Sequence, residues 1–199
     1  EGASWLGLTA DGSGNAATEM PGGDFFSGSA GVAVFLARLG EATGERRFTD
    51  LAVEAMRFSD HYWTHAAKLG GPMPWSAYHG AGSLLFAAGL AGSPSDSVRE
   101  MLLRWLETAN RDRSWLEMNG DHLAGLPGWT LALASLSGMP LARNLLRLSL
   151  TRLLDPSLPG SLTTPGLAHG TAGWVMAVTA AARELDDVRA TRAAREVIA

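Results

Sequence analysis

Apolar and amphipathic segments alternate along the chain, and each apolar segment follows a turn rich in glycine or small residues. Residues 32–39 are almost wholly apolar, whereas residues 45–67 place apolar side chains at helical spacing between charged ones. A helix that is apolar all round must be enclosed, while a helix with one apolar face can lie at a surface. The pattern therefore predicts pairs of helices, each with one inner and one outer member.

This alternation occurs four times, which predicts an all-α fold of four helical hairpins in two layers. The predicted inner helices cover residues 32–39, 84–90, 129–136 and 174–185, and the predicted outer helices cover residues 45–67, 96–109, 141–154 and those from 187 onward. We expect the first inner helix to be buried on most of its faces. Residues 1–23 have the composition of a loop or a short hairpin.

Small residues recur at equivalent places before each inner helix. The aligned glycines are Gly28, Gly80, Gly125 and Gly170, spaced 52, 45 and 45 residues apart, and three positions later stand Gly31, Ser83, Gly128 and Gly173. Such spacings are typical of helix-pair arrays. Small residues one helical turn apart suit close contact between an inner helix and its neighbours, so these positions are predicted to be structural. The turns should converge on one face.

Composition excludes several classes of function. The chain has 199 residues, of which 46% are hydrophobic, enough for a single domain with a core. A formal net charge of -4 with mixed signs gives no basic stripe for nucleic acid, and no apolar run is long enough to span a bilayer. The absence of cysteine excludes disulfides and thiolate ligands within these residues. We expect a cytoplasmic protein.

His169, in the turn of residues 166–173, is the main candidate for chemistry, because a histidine of near-neutral pKa can transfer protons. Asp121 stands four residues before Gly125 and could orient an imidazole. His79 has the same place before Gly80 that His169 has before Gly170, so it should lie on the same rim. Asp24 has the same place as Asp121, so a turn-stabilising role for both aspartates remains open.

Three further histidines carry weaker signals. His61 and His65 stand four apart on an outer helix, but the carboxylate of a His-Glu-x-x-His motif is missing, so both are predicted to be surface residues. Nothing local decides the orientation of His122.

Trp129 and Trp174 each follow the second small residue of their repeats and are predicted to pack between inner helices.

The segment Gly-Leu-Ala-His-Gly-Thr-Ala-Gly at residues 166–173 resembles the histidine motif of the lanthionine synthetase C-like cyclases. Residues 5–8 and 24–37, with the following Thr43-Gly44, are similar to the start of the cyclase domain in class II lanthipeptide synthetases. The resemblance covers essentially all 199 residues. It implies a two-layer α/α toroid, of which residues 1–199 form the N-terminal portion, with repeats starting near residues 24, 76, 121 and 166.

The same resemblance implies a reaction. In that family a zinc ion activates a cysteine thiol of a dehydrated precursor peptide, and the thiolate adds to dehydroalanine or dehydrobutyrine to close a thioether ring. His169 falls on the family's proton-transfer histidine and Asp121 on an aspartate of its active site. His79 matches no catalytic position of the family, and we expect it to contact the peptide.

The family's zinc ligands lie in two later motifs, Cys-Gly and Cys-His-Gly, which this sequence does not contain. We therefore expect no metal ligand among these residues, which alone should be inactive. The chain begins at Glu1 and stops inside a predicted helix, so we expect it to be part of something longer. The resemblance implies that the rest of the cyclase follows it and that a dehydratase domain lies upstream. An incomplete ring should expose inner-helix surface and associate with other molecules.

Two other functions remain open on the sequence. One is a noncatalytic helical-repeat module that binds peptide on its glycine-turn face. The other is a carbohydrate enzyme on an α/α barrel, which would use two carboxylates, and for which Asp24 and Asp121 are the candidates.

Overall fold

The computed structural model of the chain describes residues 3, 5–10, 16–70, 73–92, 95–158 and 164–198. Within these residues, eight α-helices and one short 3-10 helix follow an N-terminal hairpin. The hairpin pairs β1 (Gly7–Ala10) with β2 (Ala16–Glu19) in antiparallel register, so that Gly7 lies opposite Glu19. The predicted all-α fold is confirmed, and the hairpin lies in the segment whose composition indicated one.

The helices form two rows. The inner row is α1 (Ser29–Thr43), α3 (Gly82–Ala91), α5 (Leu126–Ala134) and α7 (Thr171–Leu185); the outer helices are α2 (Arg46–Lys68), α4 (Asp96–Asp112), α6 (Pro140–Leu153) and α8 (Val188–Ile198). Each inner helix packs against the outer helix that follows it and against its neighbours in the inner row. The predicted helical hairpins and their two layers are therefore present.

The outer helices bury only one face, as their amphipathic pattern predicts. The residues that α4 buries recur three or four apart: Val98, Met101, Leu102, Trp105, Leu106 and Ala109. By contrast, every residue of α5 is buried, because that helix lies between α3 and α7 and under α6. The contrast follows from the rule that apolar surface on all sides requires neighbours on all sides.

The prediction that the first inner helix is buried on most of its faces is wrong. Phe35 on α1 is 64% exposed, and Val32 and Val34 are only partly buried. In the described part of the chain, α1 is the end of the inner row and packs on α2 and α3, so one side has no inner neighbour. Hydrophobicity predicts that a helix needs enclosure but does not say which element encloses it.

Tryptophans fill much of the core. Trp129 contacts Trp75, which precedes α3, and Trp115 of the 3-10 helix Ser114–Glu117, with ring centroids 5.5 and 5.9 Å apart. Trp174 is buried as well, but its indole N–H donates to the carbonyl of Leu153 at the end of α6, 3.0 Å away. Trp174 thus bonds to the outer layer, because the last carbonyls of a helix lack partners within it.

One hydrogen bond recurs at the start of all four inner helices. The residue after each aligned glycine donates its N–H to the carbonyl of the residue six positions before that glycine: Ser29 to Gly22 (2.9 Å), Ala81 to Pro74 (2.8 Å), Leu126 to Asn119 (2.9 Å) and Thr171 to Thr164 (2.9 Å). The contact is so close that a β-carbon on Gly125 would lie 2.4 Å from the Asn119 carbonyl oxygen. The predicted structural role of these glycines therefore has a specific cause.

The second turn departs from the other three. Gly80 has a φ of 123°, which L side chains rarely adopt, and α3 begins two residues after it, not one. Gly31, Gly128 and Gly173 each lie so close to a backbone carbonyl that a β-carbon would collide with it. In the second turn the equivalent residue is Gly82, where a β-carbon would lie 1.9 Å from the Trp75 carbonyl oxygen. The alignment of Ser83 with those glycines is therefore off by one residue.

Gly125→Ala should destabilise the protein by about 1–3 kcal/mol, because backbone carbonyls cannot move aside as a flexible side chain can. Gly138→Ala is the matched control, since a β-carbon there meets nothing within 4 Å. Urea unfolding followed by circular dichroism measures both. A Gly125→Ala variant as stable as the control would contradict the importance of the close contact.

Candidate functional site

The third and fourth turns are held together by their backbones. The carbonyl of Ala168 accepts hydrogen bonds from the N–H groups of His122 (3.0 Å) and Leu123 (3.3 Å). These bonds fix the residue before His169 beside the residues that follow Asp121. The two main candidates from the sequence, 48 residues apart, therefore meet at one rim of the fold.

His169 and Asp121 form a hydrogen-bonded pair in which each carboxylate oxygen has its own partner. Oδ1 of Asp121 accepts the N–H of Ala124 at 2.7 Å, which stabilises the turn. Oδ2 bonds to Nδ1 of His169. The side chain of Asp121 is 20% exposed, whereas that of His169 is 67% exposed. The carboxylate is thus held in place while the imidazole is open to a ligand.

This arrangement assigns a role to each ring nitrogen of His169. An ionised carboxylate only accepts hydrogen bonds, so the proton of the neutral ring lies on Nδ1. Nε2 bonds to no described residue. It can therefore take a proton from a substrate, or donate one when the ring is charged, which is the chemistry of general acid–base catalysis.

The surroundings of Asp121 keep it ionised. Burial is the largest single influence, and it raises the pKa of Asp121. Four smaller influences together outweigh it, so the pKa of Asp121 is lowered. They are the hydrogen bond from His169, the N–H of Ala124, the charge interaction with His169 and the N–H of Leu123. The carboxylate therefore stays an acceptor at neutral pH.

The sequence alone did not predict the role of His122. This side chain is 1% exposed, and its Nε2 lies 3.2 Å from the hydroxyl of Tyr78. It packs against the start of α7, where a β-carbon on Gly173 would lie 2.5 Å from the His122 Cβ. The only signal in the sequence was the small residue at position 173, which indicated that something comes close there.

His122 and Tyr78 are both kept uncharged. Burial lowers the pKa of His122, although the charge of Asp121 and the backbone of Gly173 act in the opposite direction. Nδ1 of His122 is buried and has no hydrogen bond of normal geometry. Burial likewise raises the pKa of Tyr78. The polar contact between the two rings is therefore one between neutral groups.

The other candidates from the sequence lie outside the pair of His169 and Asp121. His79 is on the same rim, with its Nδ1 3.7 Å from Oδ2 of Asp24. Asp24 stabilises its own turn, since its Oδ1 accepts the N–H of Ser27 at 2.8 Å. His61 and His65 are exposed on α2. No group of three metal-ligating side chains occurs in the described ranges, nor does any helix there have the length and apolarity needed to cross a membrane.

Comparison with known proteins gives one family. The family model described as "Lanthionine synthetase C-like protein" matches residues 19–199. No curated protein matches the chain. The matched range includes the eight described helices, the four glycine turns and the pair of Asp121 and His169.

His122→Phe should make the stability of the protein less dependent on pH. Because the folded state lowers the pKa of His122, the unfolded chain binds more protons as the pH falls below the ordinary value of 6.5, and the folded state loses stability. Phenylalanine keeps a ring in place but cannot titrate. Thermal unfolding between pH 8 and pH 5 should therefore show a shallower decline for the variant than for the wild type.

His61→Gln is the control for that experiment, because His61 is exposed on α2. Its pH dependence should match that of the wild type. Equal slopes for His122→Phe and the wild type would contradict a buried, neutral His122.

Proposed function

Because this chain belongs to the lanthionine synthetase C-like family, we propose that it takes part in closing thioether rings in peptides. A cysteine thiol adds to a dehydroalanine or dehydrobutyrine of the same peptide and forms lanthionine or methyllanthionine. The observation that supports this proposal best is the pair of His169 and Asp121, with Nδ1 of the imidazole held by the carboxylate and Nε2 open.

The reaction requires a proton on carbon. When the thiolate sulfur bonds to the β-carbon, the π electrons of the alkene move onto the α-carbon and its carbonyl group, and the α-carbon must then be protonated. A charged His169 donates that proton from Nε2, and the resulting neutral ring is reprotonated by the proton released from the thiol or by water. Over the whole step, one S–H and one C=C π bond are replaced by one S–C and one C–H bond.

Asp121 acts on this step through His169. Its carboxylate fixes the imidazole in one orientation and stabilises the charged ring, as an acidic second group does for many catalytic histidines. The Ala124 N–H holds the other carboxylate oxygen, so Asp121 cannot rotate away without breaking its own turn. Asp121 is therefore a positioning residue.

The zinc ion that the resemblance implies would supply the thiolate by lowering the pKa of the thiol. The described residues do not fit such a site, because the chain has no cysteine and no three metal-ligating side chains come together in the part described.

The finer identity that we propose is the N-terminal portion of the cyclase domain of a class II lanthipeptide synthetase. The similarity of residues 24–37 to the start of such domains supports it. On this proposal the substrate is a dehydrated precursor peptide, and the zinc ligands and the dehydratase belong to other parts of the enzyme. A cytoplasmic location is the compartment we propose for that reaction.

In the complete enzyme, His169→Ala should reduce the rate of ring closure by about 10²- to 10⁴-fold, the usual contribution of a general acid. Asp121→Asn should cost about 10- to 100-fold, as expected for a group that orients another. The substrate is a synthetic peptide with one dehydroalanine and one cysteine. Free thiol remaining after incubation is labelled with N-ethylmaleimide and counted by mass spectrometry, because ring closure itself leaves the mass unchanged.

His65→Ala, on the outer helix α2, should close rings at the wild-type rate. Dehydration of the precursor should continue in all three variants. Normal ring closure by His169→Ala would overturn the assignment. A wild-type enzyme that binds the peptide but closes no ring faster than buffer would favour the noncatalytic peptide-binding module.

A further inference from the structure

A second Asp–His pair joins the first and second turns with the same contacts that join the third and fourth. In each pair, Oδ1 of the aspartate accepts the N–H three residues later, the N–H two residues after the aspartate donates to the carbonyl before the histidine, and Oδ2 faces Nδ1. In the second pair these contacts are the Ser27 N–H to Asp24 Oδ1 (2.8 Å), the Phe26 N–H to the Tyr78 carbonyl (3.2 Å) and Asp24 Oδ2 to His79 Nδ1 (3.7 Å). In the first pair they are the Ala124 N–H to Asp121 Oδ1 (2.7 Å), the Leu123 N–H to the Ala168 carbonyl (3.3 Å) and Asp121 Oδ2 to His169 Nδ1.

The fold does not require this pair. At the junction between the second and third turns, Ser76 takes the place of the aspartate and Ala124 that of the histidine. The hydroxyl of Ser76 bonds instead to the carbonyl of Leu123. Since this junction forms without an Asp–His pair, the turn-stabilising role of Asp24 does not explain why a histidine stands beside it at position 79.

The second pair differs from the first in how firmly the ring is held. Nδ1 of His79 lies 3.7 Å from the carboxylate of Asp24, beyond hydrogen-bond distance, and the side chain of His79 is 44% exposed. The ring lies instead against Phe26, with centroids 5.7 Å apart and planes tilted by 48°, and Phe26 is 69% exposed. A ring that its carboxylate does not orient suits ligand binding better than proton transfer.

The charges around this pair disfavour an anionic ligand. Asp24 already accepts the N–H and the hydroxyl of Ser27. In the described residues, neither Asp24 nor His79 has a lysine or arginine at ion-pair distance, so an anion would face the carboxylate without a compensating cation. The surface thus offers an imidazole that can hydrogen-bond and an exposed phenyl ring, which suits a peptide amide next to an apolar side chain.

This patch is connected to the first pair. Tyr78 precedes His79, and its hydroxyl bonds to His122, which follows Asp121. Phe26, in turn, donates its N–H to the carbonyl of Tyr78. A single set of contacts therefore links the two pairs along the rim where the turns meet.

We propose that His79 and Phe26, with Asp24 beside them, form a subsite that holds an uncharged, apolar stretch of the peptide away from the reacting residues. The imidazole hydrogen-bonds a main-chain amide, and the phenyl ring covers an apolar side chain. This subsite rests on the proposed function, since it takes the peptide whose ring is closed at His169.

The test is the binding of a peptide that cannot react. The probe is a synthetic amidated peptide with one phenylalanine and one dehydroalanine, in which alanine replaces the cysteine. Its Kd for the complete enzyme, measured by isothermal titration calorimetry, should rise about three- to tenfold in His79→Ala and in Phe26→Ala, the loss of one hydrogen bond or one aromatic contact. His61→Ala is the control and should leave the Kd unchanged.

A second measurement separates binding from catalysis. With the reactive cysteine peptide, His79→Ala should raise KM by the same factor and leave kcat within about twofold, whereas His169→Ala lowers kcat. Phe26 is exposed and His79 is partly exposed, so their truncation should not unfold the protein, which circular dichroism checks. An unchanged Kd in both variants overturns the subsite, as does a fall in kcat at constant KM for His79→Ala, which would make His79 a catalytic residue.

The outcomes distinguish the subsite from the proposed function. If the wild type binds the probe through His79 but closes no ring, the proposed function fails and the subsite stands. If rings close normally while the Kd is insensitive to His79 and Phe26, the subsite fails and the proposed function stands. A wild type that does not bind the probe at all contradicts the subsite.

Discussion

The close contact between a backbone carbonyl and the glycine turn at the start of each inner helix is the constraint on which the rest of the structure depends. In all four turns that carbonyl belongs to the residue six positions before a glycine, and it accepts the N–H of the residue after the glycine. Any side chain at the glycine would collide with it. Because the loop must return to the helix start, each turn presents the residues just before the glycine at the same rim.

The candidate chemistry follows from that constraint and from the packing of neighbouring repeats. A position four residues before the glycine suits an aspartate that accepts a turn N–H, and the position just before the glycine points a histidine at the preceding repeat. Neither hairpin contains a whole pair. The pair of Asp121 and His169 exists only when α5 and α7 are packed side by side, so the site should be lost whenever that contact opens, even if both helices persist.

The sequence predicted the parts of this arrangement that are local. Periodic apolar positions predicted the helices, and the recurring glycines predicted the turns, because helix amphipathicity and close backbone approach leave marks within a few residues. His169 and Asp121 could be singled out by their places in their turns and by family resemblance. Their hydrogen bond could not, since it depends on how two turns 48 residues apart pack together.

What the sequence predicted wrongly or left undecided has the same origin. The exposure of Phe35 depends on α1 lying at the end of the described inner row, and the contact between Trp174 and Leu153 depends on where α6 ends. The burial of His122 was undecidable because its environment comes from Tyr78 and Gly173, each in a different repeat. Tertiary contacts decide such positions, and one sequence carries no local record of them.

The neutral His122 has a consequence for the charged pair next to it. If this buried ring took up a second proton, its charge would lie one residue from Asp121 and would compete with His169 for the same carboxylate. Burial prevents this by lowering the pKa of His122, while the Tyr78 hydroxyl satisfies Nε2 without adding charge. Among the described ion pairs, Asp121 then has His169 as its one partner. The negative charge of Asp121 is therefore available to hold and stabilise the exposed imidazole.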